Sequence, residues 1–166
     1  MQIRDERSED EAGIRELLRA AFPTPQEAAL VDRLRTEHAL HASLVAAEGE
    51  RVVGHAAFSA AQLALPSGRL AISALGPLAV LRDWQRRGLA AALVRAGLQR
   101  CWERRVPAVI VLGDPQYYGR FGFRRADAWA IRCELDVPAE AFMISWSGAP
   151  QAGPGVAHYH PAFADV

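Results

Sequence analysis

The stretch Gly76-Pro77-Leu78-Ala79-Val80-Leu81-Arg82-Asp83-Trp84-Gln85-Arg86-Arg87-Gly88-Leu89-Ala90 holds the residues whose types and spacing point most directly to chemistry. It carries an apolar, strand-like run into a turn holding a glycine and then straight into a helical pattern. The first four N–H groups of a helix lack intrahelical acceptors and lie at the positive end of its dipole, so they attract anions. Gly88 and Ala90 keep side chains out of a ligand's path, and Arg86 and Arg87 add positive charge beside it. A pyrophosphate suits that arrangement. The bare spacing, Gln or Arg followed three residues on by Gly and two later by Gly or Ala, is weak in a chain so rich in Arg and Ala, with roughly half a match expected by chance. An ordinary strand–helix turn with solvated arginines is the competing reading. The placement between strand and helix is what favours the anion site.

Other reactive side chains form weaker patterns. Cys101 and Cys133 make no C-x-x-C pair and read as reduced, buried thiols. His38 and His41, and His158 and His160, are close in sequence, but no Cys or carboxylate completes a metal set around either pair, so no metal is expected. Every basic residue other than histidine is Arg, so no lysine amine is present to form a Schiff base or act as a base. Trp84 and Trp102 suit packing. Trp129 and Trp146 suit core or the rim of a substrate pocket.

These residues need elements to hold them. Gln2–Arg7 reads as a short strand, and Ser8-Glu9-Asp10-Glu11 as a capping box opening a first amphipathic helix with Ile14, Leu17, Leu18, Ala21 and Phe22 on one face. Pro23 ends it, Thr24 and Pro25 start a second helix to about Glu37, and Ser43–Glu48 and Arg51–Leu65 form a hairpin at Glu48-Gly49-Glu50. Leu70–Val80 has no polar alternation, as befits a central strand covered on both faces. A helix from Gly88 to about Arg104, a buried strand Ala108–Leu112, a Gly/Pro/aromatic stretch Gly113–Phe123, and strand candidates Ala130–Val137 and Phe142–Trp146 follow. Ser147–Val166 reads as loop. The order β-α-α-β-β-β-α-β-α-β-β predicts a mixed α/β (α+β) sheet with one parallel pair flanking the crossover helix. One domain over 1–166 is expected, with its core in about 1–147 and a C-terminal extension at 148–166.

Over 166 residues the net charge is zero, so no global field draws nucleic acid or an anionic membrane. The charged N-terminus is not a signal peptide, and no stretch reaches the roughly 18 apolar residues of a membrane span. A cytoplasmic protein is expected. The apolar tail is free to pack on its own domain or on a second copy in a homodimer.

Beyond the turn, the chain resembles the GNAT superfamily of acetyl-CoA-dependent N-acetyltransferases. Leu78-Ala79-Val80 is similar to the family strand that pairs with the pantetheine arm, Gln85 through Ala91 to its pyrophosphate loop, and Tyr118-Gly119-Arg120-Phe121-Gly122-Phe123 to its downstream Y-x-x-x-G-F segment. Gly113 to Phe123 is close to a branch carrying G-D-P-x-Y-Y-x-x-F-G-F. The specific motifs lie within 74–123. The resemblance implies a GNAT-like acyl-CoA N-acyltransferase fold, with a central mixed sheet of six to seven strands flanked by about four helices. It implies contacts to acetyl-CoA, as co-substrate, from Leu78, Ala79, Val80, Gln85, Arg86, Arg87, Gly88, Leu89, Ala90 and Ala91. It also implies direct attack by a small-molecule or peptide amine in a ternary complex, with the strand splayed from its neighbour so that a backbone N–H near Leu78 or Val80 can polarise the carbonyl. Tyr118 is then the candidate general acid toward the departing sulfur, with Tyr117 as its rival. No base stands out among Asp114, Glu27 and His55. A non-catalytic acyl-CoA-binding module is therefore the alternative to an enzyme.

Overall fold

Runs of Ala, Val, Leu and Ile without polar alternation must be covered on both faces, and here they lie between two layers of helix. The computed structural model describes Met1–Val166. In chain order its elements are β1 (Gln2–Asp5), α1 (Glu11–Ala21), α2 (Gln26–Thr36), β2 (Leu40–Glu48), β3 (Arg51–Leu65), β4 (Gly68–Val80) and α3 (Leu89–Glu103). Then come β5 (Ala108–Leu112), α4 (Pro115–Tyr118), β6 (Arg124–Arg125), β7 (Ile131–Cys133), β8 (Phe142–Trp146) and β9 (Gly155–His158).

One sheet unites the strands in the order β1-β2-β3-β4-β5-β8-β6, with β9 beside β3 and β7 beside β9. Along the main path only β4 and β5 are parallel, and α3 is the crossover between them. That is the expected mixed topology. The side strands β7 and β9 add a second parallel pair. No helix is long and apolar enough to cross a membrane.

Alternation along β3 directs its neighbours to opposite layers. Phe58 points to α3, packing with Leu89, Leu93, Val94, Leu98 and Cys101. Ala57 points to α1 and α2, where Ile14, Leu17, Leu18, Ala28 and Val31 close the other face. The α3 layer lies very close to the sheet at Gly97, where a β-carbon would fall 1.9 Å from Phe58 Cε1.

The feature that matters most for a site is where β4 leaves β5. Their ladder consists of Ser73 opposite Val109 and Ala74 opposite Ile110, yet β4 continues to Val80. Immediately past the last pair come Gly76 and Pro77. Gly76 has φ +146°, a conformation that glycine adopts without steric cost. Pro77 has no N–H to donate, and the β3–β4 register slips there, between Ala56 and Phe58. The two strands therefore diverge, which leaves the β5-facing edge of β4 open from Leu75 onward. This is the splay that the family resemblance implied.

Several local expectations are corrected. Ser8 and Glu11 make no capping box. Ser8–Asp10 is a single 3-10 turn, and Asp10 does the capping, accepting from Arg7 N at 2.7 Å and from Arg4 Nη1 at 2.6 Å, so an ion pair to β1 outcompetes the expected pairing. Thr24 reaches Gln26 N only at 3.4 Å, and α2 starts after Pro25. The strand expected over 130–137 shrinks to β7, because Ala130 takes a left-handed φ of +56° on one side and Pro138 interrupts the chain beyond. The tail is not loop. It contains β9, which pairs Gln62, Leu63 and Ala64 of β3, and a 3-10 helix at Pro161–Asp165. Alternation of only four residues in a Gly/Pro-rich tail is too short to be read as a strand without its partner.

Candidate active site

Gly88 forms the N-cap of α3 with φ +78°, and Arg86 just before it has φ +63°. These left-handed residues turn the chain from β4 into the helix within a few positions. The first intrahelical bond runs from Ala92 N to Gly88 O at 3.0 Å, which leaves the N–H groups of Leu89, Ala90 and Ala91 without an intrahelical acceptor. Nothing lies within 4 Å of the place a β-carbon on Gly88 would occupy. A cavity of about 380 Å³ opens there, lined by Val80, Trp84, Gln85, Arg86, Gly88, Leu89, Ala90, Ala91, Tyr117 and Arg120. Gln85 is oriented by donating to Val80 O at 3.1 Å. Free amides, two guanidinium groups and small side chains make this a receptor for a phosphate-bearing ligand.

Most of the predicted cofactor contacts meet in this cavity, but three do not: Leu78 lines a second cavity, and Arg87 and Ala79 line neither. Arg87 is turned away, its Nη2 donating to Asp83 O at 3.0 Å and its guanidinium carbon 4.7 Å above the Trp84 ring. Ala79 is buried beneath α1, so its side chain faces neither cavity. One cation was missed from the sequence. Arg120 donates to Tyr117 O at 3.0 Å and stacks 4.7 Å from its ring, at the rim of the same cavity. Only the fold brings α4 across to the start of α3.

A second cavity of about 350 Å³ lies along the open edge of β4. Leu75, Gly76, Pro77 and Leu78 form one wall, Val111, Leu112 and Tyr118 another, Phe22, Glu27 and Leu30 a third, and Leu135, Tyr159, Phe163 and Val166 the last. Adjacent tyrosines are thus divided: Tyr117 lines the cavity at Gly88, and Tyr118 lines this one. Asp114 explains the placement, because its carboxylate caps α4 by accepting from Gln116 N at 2.9 Å. The Tyr118 ring lies flat on Gly113, where a β-carbon would come 2.4 Å from the ring, and meets Phe123 edge-on at 5.8 Å. Burial, with a smaller effect from Tyr117, pushes the Tyr118 phenol up to about 12. It therefore carries its proton throughout the physiological range.

Of the other candidate bases, Glu27 lines this second cavity, with its Oε1 buried and without a hydrogen-bond partner. His55 does not. It is fully buried in the sheet, with Nε2 2.8 Å from Ser43 Oγ and 3.9 Å from Glu6 Oε1. Burial pushes its imidazole down to about 4, against a smaller opposing pull from Glu6. Glu6 in turn takes a 2.6 Å ion pair from Arg35, which makes a structural network between β1, β2, β3 and α2.

The remaining sequence candidates are dispersed. His41 bonds Ser73, His158 bonds Glu134, and His160 accepts from Ala162 N. Both thiols are free and buried, and burial pushes Cys101 up to about 11, so neither suits nucleophilic attack. Trp129 and Trp146 pack edge-to-face at 6.0 Å and line neither cavity, so the substrate-rim role considered for them is not realised.

Comparison with known proteins agrees with this geometry. The model of the acetyltransferase (GNAT) domain matches residues 2–126. The uncharacterised N-acetyltransferase YhbS of Escherichia coli K12 is 37% identical over 166 residues, covering 98% of each chain. The crystal structure of Escherichia coli YhbS in complex with CoA superposes with a TM-score of 0.88 at 35% identity, covering 98% of this chain and 91% of that one. A GNAT family acetyltransferase from Brucella melitensis, in complex with acetyl-CoA, gives a TM-score of 0.77 at 33% identity, with coverage of 98% and 97%. The fold, the splayed β4 and the family match lead to one conclusion: the chain belongs to the GNAT family of N-acetyltransferases.

Proposed function

We propose that the protein transfers an acetyl group from acetyl-CoA to a primary amine of a small molecule or peptide by direct attack in a ternary complex. One observation carries this reading: the free amides at the start of α3 and the Tyr118 phenol open onto two cavities set along the same unpaired edge of β4. The CoA and acetyl-CoA complexes of the two related proteins support the same use of the cavity at Gly88 here. Acetyl-CoA is a substrate in this scheme, consumed at each turnover.

The chain's residues then divide the labour. The amides of Leu89, Ala90 and Ala91, with Arg86 and Arg120, hold the diphosphate. The β5-facing edge of Leu78–Val80, apart from the Val80 carbonyl that accepts from Gln85, is available to the pantetheine arm and to the acetyl carbonyl. Tyr118 donates to the sulfur as charge develops there, a role suited to a phenol held neutral by burial. No buried nucleophile competes with direct attack, since both cysteines lie outside the two cavities.

The test is thermal unfolding with acetyl-CoA, CoA or ATP, followed by thiol release against an amine panel. Selective binding to the native state raises the melting temperature by mass action. Stabilisation by both CoA species together with amine-dependent thiol release is the expected outcome. Stabilisation without release on any amine would instead identify a binding module.

A further inference from the structure

The cavity beside Tyr118 is mainly apolar, with Tyr118 and Tyr159 among its walls, and it holds one charged side chain. Glu27, in the first turn of α2, presents an Oε1 that is shielded from water and bonded to nothing. No Arg, His or Asp lines the cavity with it. A buried polar atom left unpaired costs free energy, so such an atom at a cavity wall favours a ligand that brings a donor to it. Around it stand Phe22, Leu30, Leu78, Tyr159 and Phe163, the last two with ring centroids 4.9 Å apart. The tail supplies Tyr159 and Phe163, carried to the cavity by the docking of β9 on β3.

We infer, granting that this cavity takes the acceptor, that the substrate is a primary monoamine on an apolar aliphatic or aromatic body, whose ammonium is received by Glu27. The chemistry excludes the main competitors. A free amino acid would set its carboxylate beside Glu27 with no cation to pair it. A polyamine would bring a second ammonium into a cavity with no second acidic side chain, and an aminosugar would set several hydroxyls against mainly apolar walls. The volume, about 350 Å³, lies at the small end of small-molecule sites and suits a compact amine better than a peptide.

The proton balance closes on named groups. The ammonium gives one proton to the Glu27 carboxylate, and the side chain, buried at Oε1 but partly exposed as a whole, passes it to solvent. The freed lone pair forms the C–N bond as the thioester C–S bond breaks, and sulfur takes the Tyr118 proton. The second proton shed by nitrogen as the amide forms restores the phenol through water. Each turnover releases one proton, the amide and the thiol.

The test measures thiol release with phenethylamine and n-hexylamine against spermidine and alanine, in the parent and Glu27→Gln proteins. Calorimetric titration of phenethylamine into CoA-loaded protein runs alongside. The expected kcat/KM for the two apolar amines exceeds that for spermidine or alanine by about tenfold or more, a gap of the size set by one unpaired buried charge. Glu27→Gln should remove about tenfold of turnover and of phenethylamine affinity, while the acetyl-CoA shift in melting temperature persists and shows the fold intact. Preference for spermidine or alanine, or undiminished phenethylamine turnover in Glu27→Gln, overturns the inference and leaves the transferase reading standing. Phenethylamine binding that depends on Glu27 without thiol release on any amine upholds the inference and removes the transferase reading. Neither binding nor release overturns both.

Discussion

The two cavities along β4 are of similar size and opposite construction. The one at Gly88 is built mainly from a continuous piece of chain, Val80 to Ala91, and presents backbone amides with Gln85, Arg86 and Arg120 around them. The one at Tyr118 draws a few residues each from α2, β4, β5, α4, the segment after β7 and the tail, and is mainly apolar with Glu27 its one charged side chain. In the proposed function the first receives a constant group and needs only a turn and a helix start. The second is a space between distant elements, and any change in how they pack changes what it accepts. The difference teaches where variation between relatives should fall: on the walls at Tyr118, rather than at the amides of α3.

The sharpest way to break the contrast is at Gly88. Gly88→Val forces an L-residue into a left-handed conformation at about 1–2 kcal/mol and fills the anion cavity. Titration should show acetyl-CoA binding weakened by about 100-fold, or roughly 3 kcal/mol. Next comes Tyr118→Phe, which removes the donor but keeps the ring on Gly113. Its kcat should fall by about tenfold or more with the acetyl-CoA Kd unchanged, as steady-state kinetics beside calorimetry will show, and equal turnover would deny Tyr118 the acid's role.

Phe163→Ala tests the tail as a wall of the second cavity only. The amine KM should rise by about fivefold while acetyl-CoA binds as before, and a matching loss for both ligands would show that the cavities are not separable. A smaller effect is expected from Arg120→Ala, which removes one exposed cation at the anion cavity. Acetyl-CoA affinity should drop about threefold at low ionic strength and less at high salt.

The last test should leave both cavities alone. His55 lies in neither, and its folded-state pKa of about 4 is below the ordinary 6.5. The unfolded chain therefore binds the extra proton first, so stability is full above pH 6.5 and declines as pH falls toward 4. Glu6, held low by Arg35 and Ser43 against the cost of burial, pulls in the same direction at still lower pH. Chemical denaturation should show about 2 kcal/mol lost to His55 between pH 7 and pH 5, with the slope flattened in His55→Gln. The shift in melting temperature caused by acetyl-CoA should stay the same in that variant.

Legibility followed the same division. The strand–turn–helix at Gly76 to Ala91 could be read directly, since hydrophobic period, glycine and helix start all act within a few residues. The parallel pair around α3 followed from element order. Caps were misread where a tertiary ion pair competed, as at Asp10 with Arg4. Glu27 was one of three undistinguished carboxylate or imidazole candidates. What separates it from Asp114 and His55 is that Asp114 spends its carboxylate on a cap and His55 is enclosed in the sheet, facts that spacing does not contain. Arg120 was visible only as one letter in an aromatic segment. The strand in the tail was invisible because its four residues gain their hydrogen bonds from β3 and β7 alone.

By itself, then, the amino-acid sequence determined the family, the order of the main elements, the anion-binding turn at Gly88 and the aromatic segment that carries Tyr118. Each of these depends on interactions between residues close along the chain, whose energies are set locally by period, φ preference and unpaired helix-end amides. Tertiary structure alone decided that Tyr117 and Tyr118 face different cavities, that Arg87 turns onto Trp84 while Arg120 takes a place at the anion rim, and that Glu27 meets the tail across an apolar space. Those outcomes rest on packing between elements far apart in the chain, where a side chain's partner is chosen by register and layer rather than by its neighbours in sequence.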